Sequence, residues 1–162
     1  MGSALARGLT TTPQAREVLK RASLLAERAV RRNPRNANAW RSLGLVRSAQ
    51  NRSRSAFEAY ENALRFSPND WKVKINLAEL YGMRGQDARA YKTLVEAYED
   101  MGRAYDDEPK AIAQWRAPLG VLIAKRDLSA DRLDNAEAWY RRVLTDEPYH
   151  EEATLGLARL LS

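Results

Sequence analysis

Side chains able to do chemistry are sparse and scattered in this chain. His150, in "EPYHEE", is the one histidine, and there is no cysteine. A histidine-based triad, a histidine-rich metal site and a thiolate metal site are thereby excluded. Carboxylates cluster at Asp106-Asp107-Glu108, Asp146-Glu147 and Glu151-Glu152. Such pairs could serve as general acid and base or as hard-cation ligands. Each cluster is instead expected where a helix begins, where negative charge meets the helix dipole and its free N–H groups. His150 is expected as an exposed turn residue. The chain shows no glycine-rich phosphate loop, nucleophile elbow or metal-ligand spacing. No catalytic residue, cofactor or metal ligand is assigned, and the chain is not read as an enzyme.

Basic residues are more numerous. Residues 1–65 hold 13 Lys and Arg against 4 Asp and Glu, whereas residues 66–162 hold 14 against 17. Arg16, Lys20, Arg21, Arg28, Arg31 and Arg32 fall on one side of a helix drawn through residues 16–32. Val18, Leu19, Ala22, Leu25, Ala26, Ala29 and Val30 occupy the other side and are expected to face the core. With "NRSRS" at 51–55, the basic stripe reads foremost as a solvated face. An acidic protein is a lesser alternative, and polyanion or nucleic-acid binding a weaker one, since the charges lie on an outer helix face and at a turn. Trp40, Trp71, Trp115 and Trp139 are expected in core or turn packing.

Composition sets the remaining bounds. The 44% hydrophobic and 30% charged content suits one folded domain. No apolar run approaches the roughly 20 residues of a membrane span. The compartment stays open: cytoplasmic, or periplasmic if the segment belongs to a secreted parent.

The elements that must carry these residues repeat. "NPRNANAWRSLG", "SPNDWKVKINLA", "EPKAIAQWRAPLG" and "EPYHEEATLGLA" each follow a turn proline, and Pro34 and Pro68 lie 34 residues apart. In the clearest copy Trp40, Leu43 and Gly44 mark a first helix, and Ala56, Tyr60, Ala63 and Pro68 a second. The next copy has Leu77, Ala78, Tyr81, Ala90, Leu94 and Ala97, with Gly102 where a proline is expected. A further copy opens at Trp115 and runs through Ala136, Tyr140, Val143 and Pro148. Pro118 is expected to kink its first helix, and "KRDLSADRLD" to lengthen its inter-helix turn.

This pattern resembles the tetratricopeptide-repeat family. The resemblance implies an all-α fold of helical hairpins stacked in a right-handed superhelix. Residues 1–13 form a tail or degenerate first helix. Residues 14–162 form the array, in units 14–36, 37–70, 71–111, 112–150 and a partial unit 151–162. It further implies a concave groove lined by first helices, with Asn38, Arg41, Leu45 and Ser48 from one unit. Lys72, Ile75, Asn76, Glu79 and Met83 come from the next. Of the family's carboxylate-clamp positions, Arg41 and Asn76 match, while Leu45 stands where an asparagine is usual.

The implied function is a non-catalytic scaffold that holds a partner protein's peptide, helix or loop, within a bacterial assembly or secretion machine. A regulatory module of a larger enzyme or transcription factor is the alternative. In "EEATLGLARLLS" the leucines spread around the helix without a polar outer face, which predicts self-association through residues 151–162. With no thiol and one turn histidine, micromolar zinc or calcium should leave the melting temperature unchanged. A shift of several degrees in a thermal melt would contradict this, because a metal bound to the folded state must stabilise it.

Overall fold

The computed structural model describes residues 12–104 and 112–162, so Asp106-Asp107-Glu108 and Pro109 lie outside the described residues. Every regular element described is helical. The order is α1 (Pro13–Arg32), α2 (Ala37–Ala49), α3 (Ser53–Phe66), α4 (Trp71–Met83) and α5 (Asp87–Ala104). A π-helical turn (Ile112–Arg116) leads into α6 (Ala117–Ser129), followed by α7 (Leu133–Asp146) and α8 (Glu151–Leu161). The chain divides into two compact units after Leu80.

Among the described residues, two kinds of corner, each written three times, set the hairpins. The first spans residues 50–52, 84–86 and 130–132. Its middle residue is left-handed: Asn51 at φ 59°, Gly85 at φ 70° and Asp131 at φ 57°. Asn and Asp are the non-glycine residues that best tolerate this region. The next N–H, of Arg52, Gln86 or Arg132, donates to the carbonyl of Arg47, Tyr81 or Asp127, each at 2.9 Å. The middle N–H donates to Ser48, Gly82 or Leu128, which completes a Schellman ending. "KRDLSADRLD" therefore does not lengthen its turn; its residues extend helix instead. Counting back from Asp131, Ala124 and not Gly120 takes the place of Gly44, so the expected register of this copy was displaced by four residues.

The second corner carries the prolines Pro34, Pro68 and Pro148. The N–H groups of Asn33, Ser67 and Glu147 close the preceding helix on the carbonyls of Ala29, Ala63 and Val143. Proline then presets φ for the turn. The last corner residue caps the next helix: Asn36 accepts from the Ala39 N–H, Asp70 from Val73 and His150 Nδ1 from Ala153. His150 is thus a half-buried helix cap, not merely an exposed turn residue. Asp146 is the last residue of α7 and Glu147 follows it, so this cluster ends a helix, contrary to expectation. Glu151 and Glu152 do lie in the first turn of α8.

Where the proline is missing the helix runs on. Gly102 is buried within α5, and a Cβ there would fall 2.9 Å from Arg116 Cζ. Pro118 sits in the first turn of α6, and the irregularity it demands takes the form of the π turn preceding it. Trp115, in that turn, is 52% exposed and not a core residue.

Packing follows the small residues. Ala56, Ala59, Tyr60 and Ala63 of α3 are sealed, and the Tyr60 ring occupies the space beside Gly44 of α2 that a Cβ would need. Gly120 meets Val143 and Tyr98 in the same manner, and Gly156 meets Tyr140. Trp40 packs with Val30 against Ala26, Leu43 and Ala59, and its indole N–H donates to the Pro34 carbonyl at 2.8 Å. The α1 face differs from expectation. Ser23 and Ala26 are buried, but Val18 and Leu25 are 64% and 65% exposed and Ala29 is exposed. The buried part of its arc, around Ala26, meets Leu43 of α2 and Ala59 of α3.

A methyl group at Gly44 would overlap the Tyr60 ring, whereas at Gly82 the nearest atom is Arg126 Nη2 at 3.8 Å. Gly44→Ala should destabilise the fold by about 1–3 kcal/mol. Gly82→Ala should be neutral or stabilise by up to about 1 kcal/mol through helix propensity. Thermal melts of the two variants decide whether close approach governs the first site alone.

Candidate partner-binding site

The α3–α4 corner positions the polar end of the expected groove. Asp70 Oδ1 accepts from the backbone N–H groups of Lys72 and Val73 at 3.1 and 3.2 Å. Its Oδ2 accepts from Arg41 Nη1 of α2 at 2.9 Å. Arg41 is 27% exposed and Asp70 9% at the side chain, so the pair is well shielded from solvent. Asn76 donates to the Lys72 carbonyl of its own helix at 2.8 Å, and the Lys72 ammonium lies 5.2 Å from the Trp71 ring centre. Both residues matching the carboxylate clamp are therefore already engaged. A partner's carboxylate would have to displace Asp70 from Arg41.

The remaining residues divide by exposure. Asn38, Lys72 and Glu79 are exposed, Ser48 and Ile75 half-buried, and Leu45 is 46% exposed. The first unit thus presents amides, an ammonium, a carboxylate and an uncovered leucine on its first helices, groups that suit a polypeptide ligand. Met83, at the end of α4, is 68% exposed and falls in the second unit. Arg16, Lys20, Arg21, Arg28, Arg31 and Arg32 are all exposed on α1. Among the described residues no three His, Asp or Glu side chains are placed to hold a metal ion, and no helix is long and apolar enough to cross a membrane.

Sequence reasoning missed a polar network in the second unit. Asp127 is fully buried and accepts from Arg132 Nε at 2.7 Å and the Tyr91 hydroxyl at 3.0 Å. Trp139 Nε1 donates to that hydroxyl at 3.2 Å. Tyr98, also fully buried, has the Arg116 and Arg142 guanidinium groups 4.3 and 4.9 Å from its ring centre. Its hydroxyl donates to Asp146 at 2.7 Å, and Arg116 pairs with the same carboxylate at 3.1 Å. The readable signal was Asp127 itself, an acid at a core position of "APLGVLIAKRDLS".

Burial pushes the Tyr60 and Tyr98 hydroxyls well above the ordinary tyrosine range. The Glu79 charge adds to this at Tyr60, and the bond to Asp146 does so at Tyr98. Burial also raises Tyr91 and Tyr140. A raised folded-state value means that the unfolded chain ionises first. The stabilisation is complete below the ordinary tyrosine value of about 10 and is lost as pH rises beyond it. Stability should therefore fall above pH 10, by up to about 1.4 kcal/mol per pH unit for each buried tyrosine. Denaturant melts across alkaline pH check this, and Tyr60→Phe should reduce the slope.

Comparison with known proteins extends this picture. No family model matches the chain. The mouse protein O-mannosyl-transferase TMTC1 is 29% identical over 157 residues, which are 97% of this chain and 15% of that protein. The peroxisomal targeting signal receptor of Pichia angusta is 34% identical over 120 residues, 71% of this chain and 21% of the receptor. The chain thus spans about a fifth or less of these relatives. Among solved structures, Pseudomonas aeruginosa PilF superposes with a TM-score of 0.66 at 20% identity, covering 98% of this chain and 65% of that one. A thermophilic TPR protein of Thermus thermophilus gives 0.59 at 22%, covering 97% and 78%. The first TPR of Spaghetti (RPAP3), bound to the HSP90 peptide SRMEEVD, gives 0.55 at 21%, covering 78% and 90%. In its repeats and in its fold, the chain is a tetratricopeptide-repeat protein.

Proposed function

We propose that the chain is a non-catalytic interaction scaffold whose first unit holds an extended or helical segment of a partner protein. The segment lies along Asn38, Arg41, Leu45 and Ser48 of α2 and Lys72, Ile75, Asn76 and Glu79 of α4. The observation that carries this reading is Leu45, an apolar side chain left 46% exposed on α2, the helix that also exposes the Asn38 amide. A peptide satisfies both needs at once, burying an apolar side chain while its backbone meets the amides. The peptide bound to the Spaghetti repeat and the receptor named among the relatives favour the same class of ligand. The bacterial-type repeat pattern "A-x-x-x-Y-x-x-A-L…P" favours a place in a bacterial assembly or secretion machine. The uncovered leucines of α8 add self-association to the reading, with Leu155 and Leu161 50% and 61% exposed.

A photo-crosslinking residue at Leu45 should capture a discrete partner in extract of the source cells, and one at Arg28 should not. Lys72→Ala with Asn76→Ala should weaken that complex by about 1.5–3 kcal/mol, the loss typical of hydrogen bonds to charged groups. Capture from Arg28 with none from Leu45 would move the site to the basic outer face and defeat the proposal.

A further inference from the structure

One of the three caps at the proline corners is a base. Asn36, Asp70 and His150 hold the same place, and each accepts from the N–H of a buried residue three positions on: Ala39, Val73 and Ala153. An amide is uncharged at every pH and a carboxylate accepts throughout the neutral range, but an imidazole nitrogen accepts only while it is unprotonated. His150 accepts through Nδ1 at 3.3 Å, so in the capped state its proton sits on Nε2. Protonation sets a ring N–H against the Ala153 N–H, donor facing donor, and places a positive charge at the positive end of α8. Ala153 is fully buried, so the abandoned N–H stays dry unless the first turn of α8 opens.

The surroundings give the charged ring another place to go. Glu147, Glu151 and Glu152 line one surface cavity with His150, Tyr149 and Leu155. Asp146 is committed to Tyr98 and Arg116. α6 brings Lys125, which pairs with Glu152. α7 brings Tyr140, whose ring fills the space beside Gly156 and feels the charges of Lys125, Glu152 and Arg159. The acidic cap Asp70 is met by the cation Arg41. In the register that aligns Ala124 with Gly44, the place of Arg41 before His150 belongs to Val121, a buried apolar residue.

We propose that His150 is a pH-operated latch at the α7–α8 corner. Neutral, it caps α8; as an imidazolium it leaves Ala153 and turns to the corner carboxylates. The contribution of the cap is full where the ring is neutral and is lost as pH falls through the range in which histidine charges, between about pH 8 and 5. The first turn of α8 also carries Glu152, so the same protonation slackens the hold of α8 on α6.

His150 is the single histidine, so its imidazole resonance titrates without overlap in the 162-residue protein. Protection of the Ala153 amide, taken against the intrinsic exchange rate at each pH, should fall about fivefold from about pH 7.5 to 5.5, the size of a typical cap. The fall should share its midpoint with the His150 titration, and the Ala39 amide, capped by Asn36, should stay level. In His150→Asn the Ala153 protection should stay level too. His150→Asp, the cap used at Asp70, should behave alike, so that if one variant fails to fold the other decides. Protection that does not change with pH in the wild type overturns the latch. An equal fall in the folded variants also overturns it, because Glu147, Glu151 and Glu152 would then carry the pH dependence.

Discussion

The fold depends on aromatic rings laid on helix backbone that has no side chain in the way. Tyr60 on Gly44, Tyr98 on Gly120 and Tyr140 on Gly156 are three instances, each joining helices that pack side by side. A ring on bare backbone lets two helices approach at the short end of the usual interaxial range and makes many small dispersion contacts. Alanines at Ala56, Ala63, Ala90, Ala97 and Ala136, all fully buried, extend this close approach along each pair. The hairpin corners can then be short, because the helices they join are already close.

Burying tyrosines has a polar cost, and the second unit shows how it is met. A buried hydroxyl needs a partner, and Asp146 and Asp127 supply one each to Tyr98 and Tyr91. Those carboxylates then need countercharge, which Arg116 and Arg132 provide. In the first unit Arg47 stands at the position of Asp127, and there the sign is reversed: Arg47 pairs with Glu27 of α1 at 2.5 Å. Both solutions tie a hairpin corner to a neighbouring helix. Breaking one partner of such a shielded pair costs more than the pair contributes, since the other charge is left buried.

What the sequence made legible follows from this division. Gly44, Ala56, Tyr60 and Pro68 have single, local reasons to be where they are, so their spacing alone announced hairpins, caps and corners. The third copy was harder to read. Residues 125–129 of "KRDLSADRLD" look like turn by composition, yet they extend α6 as helix up to a corner as short as the other two. Asp146 was misplaced because a carboxylate near a proline corner looks like a cap until its long-range partners, Tyr98 and Arg116, are seen. For the groove, Arg41 and Asn76 were legible as residue types, but their engagement by Asp70 and by the Lys72 carbonyl was not. Such pairings depend on which helices meet, and residue spacing does not report that.

The weak anchorage of α8 has a thermodynamic consequence. Its one buried residue is Ala153, and its first turn is held to α6 through the ion pair of Lys125 with Glu152. In an array where each helix leans only on its neighbours, stability is a sum of local terms and opening starts where that sum is smallest. Amide exchange would then be graded, fastest through the last turns of α8 and slowest in α6 and α7, where Val121, Ile123 and Val143 are sealed. The cooperative unit of this protein is thereby smaller than its length, and melting monitored at different positions would not report one transition.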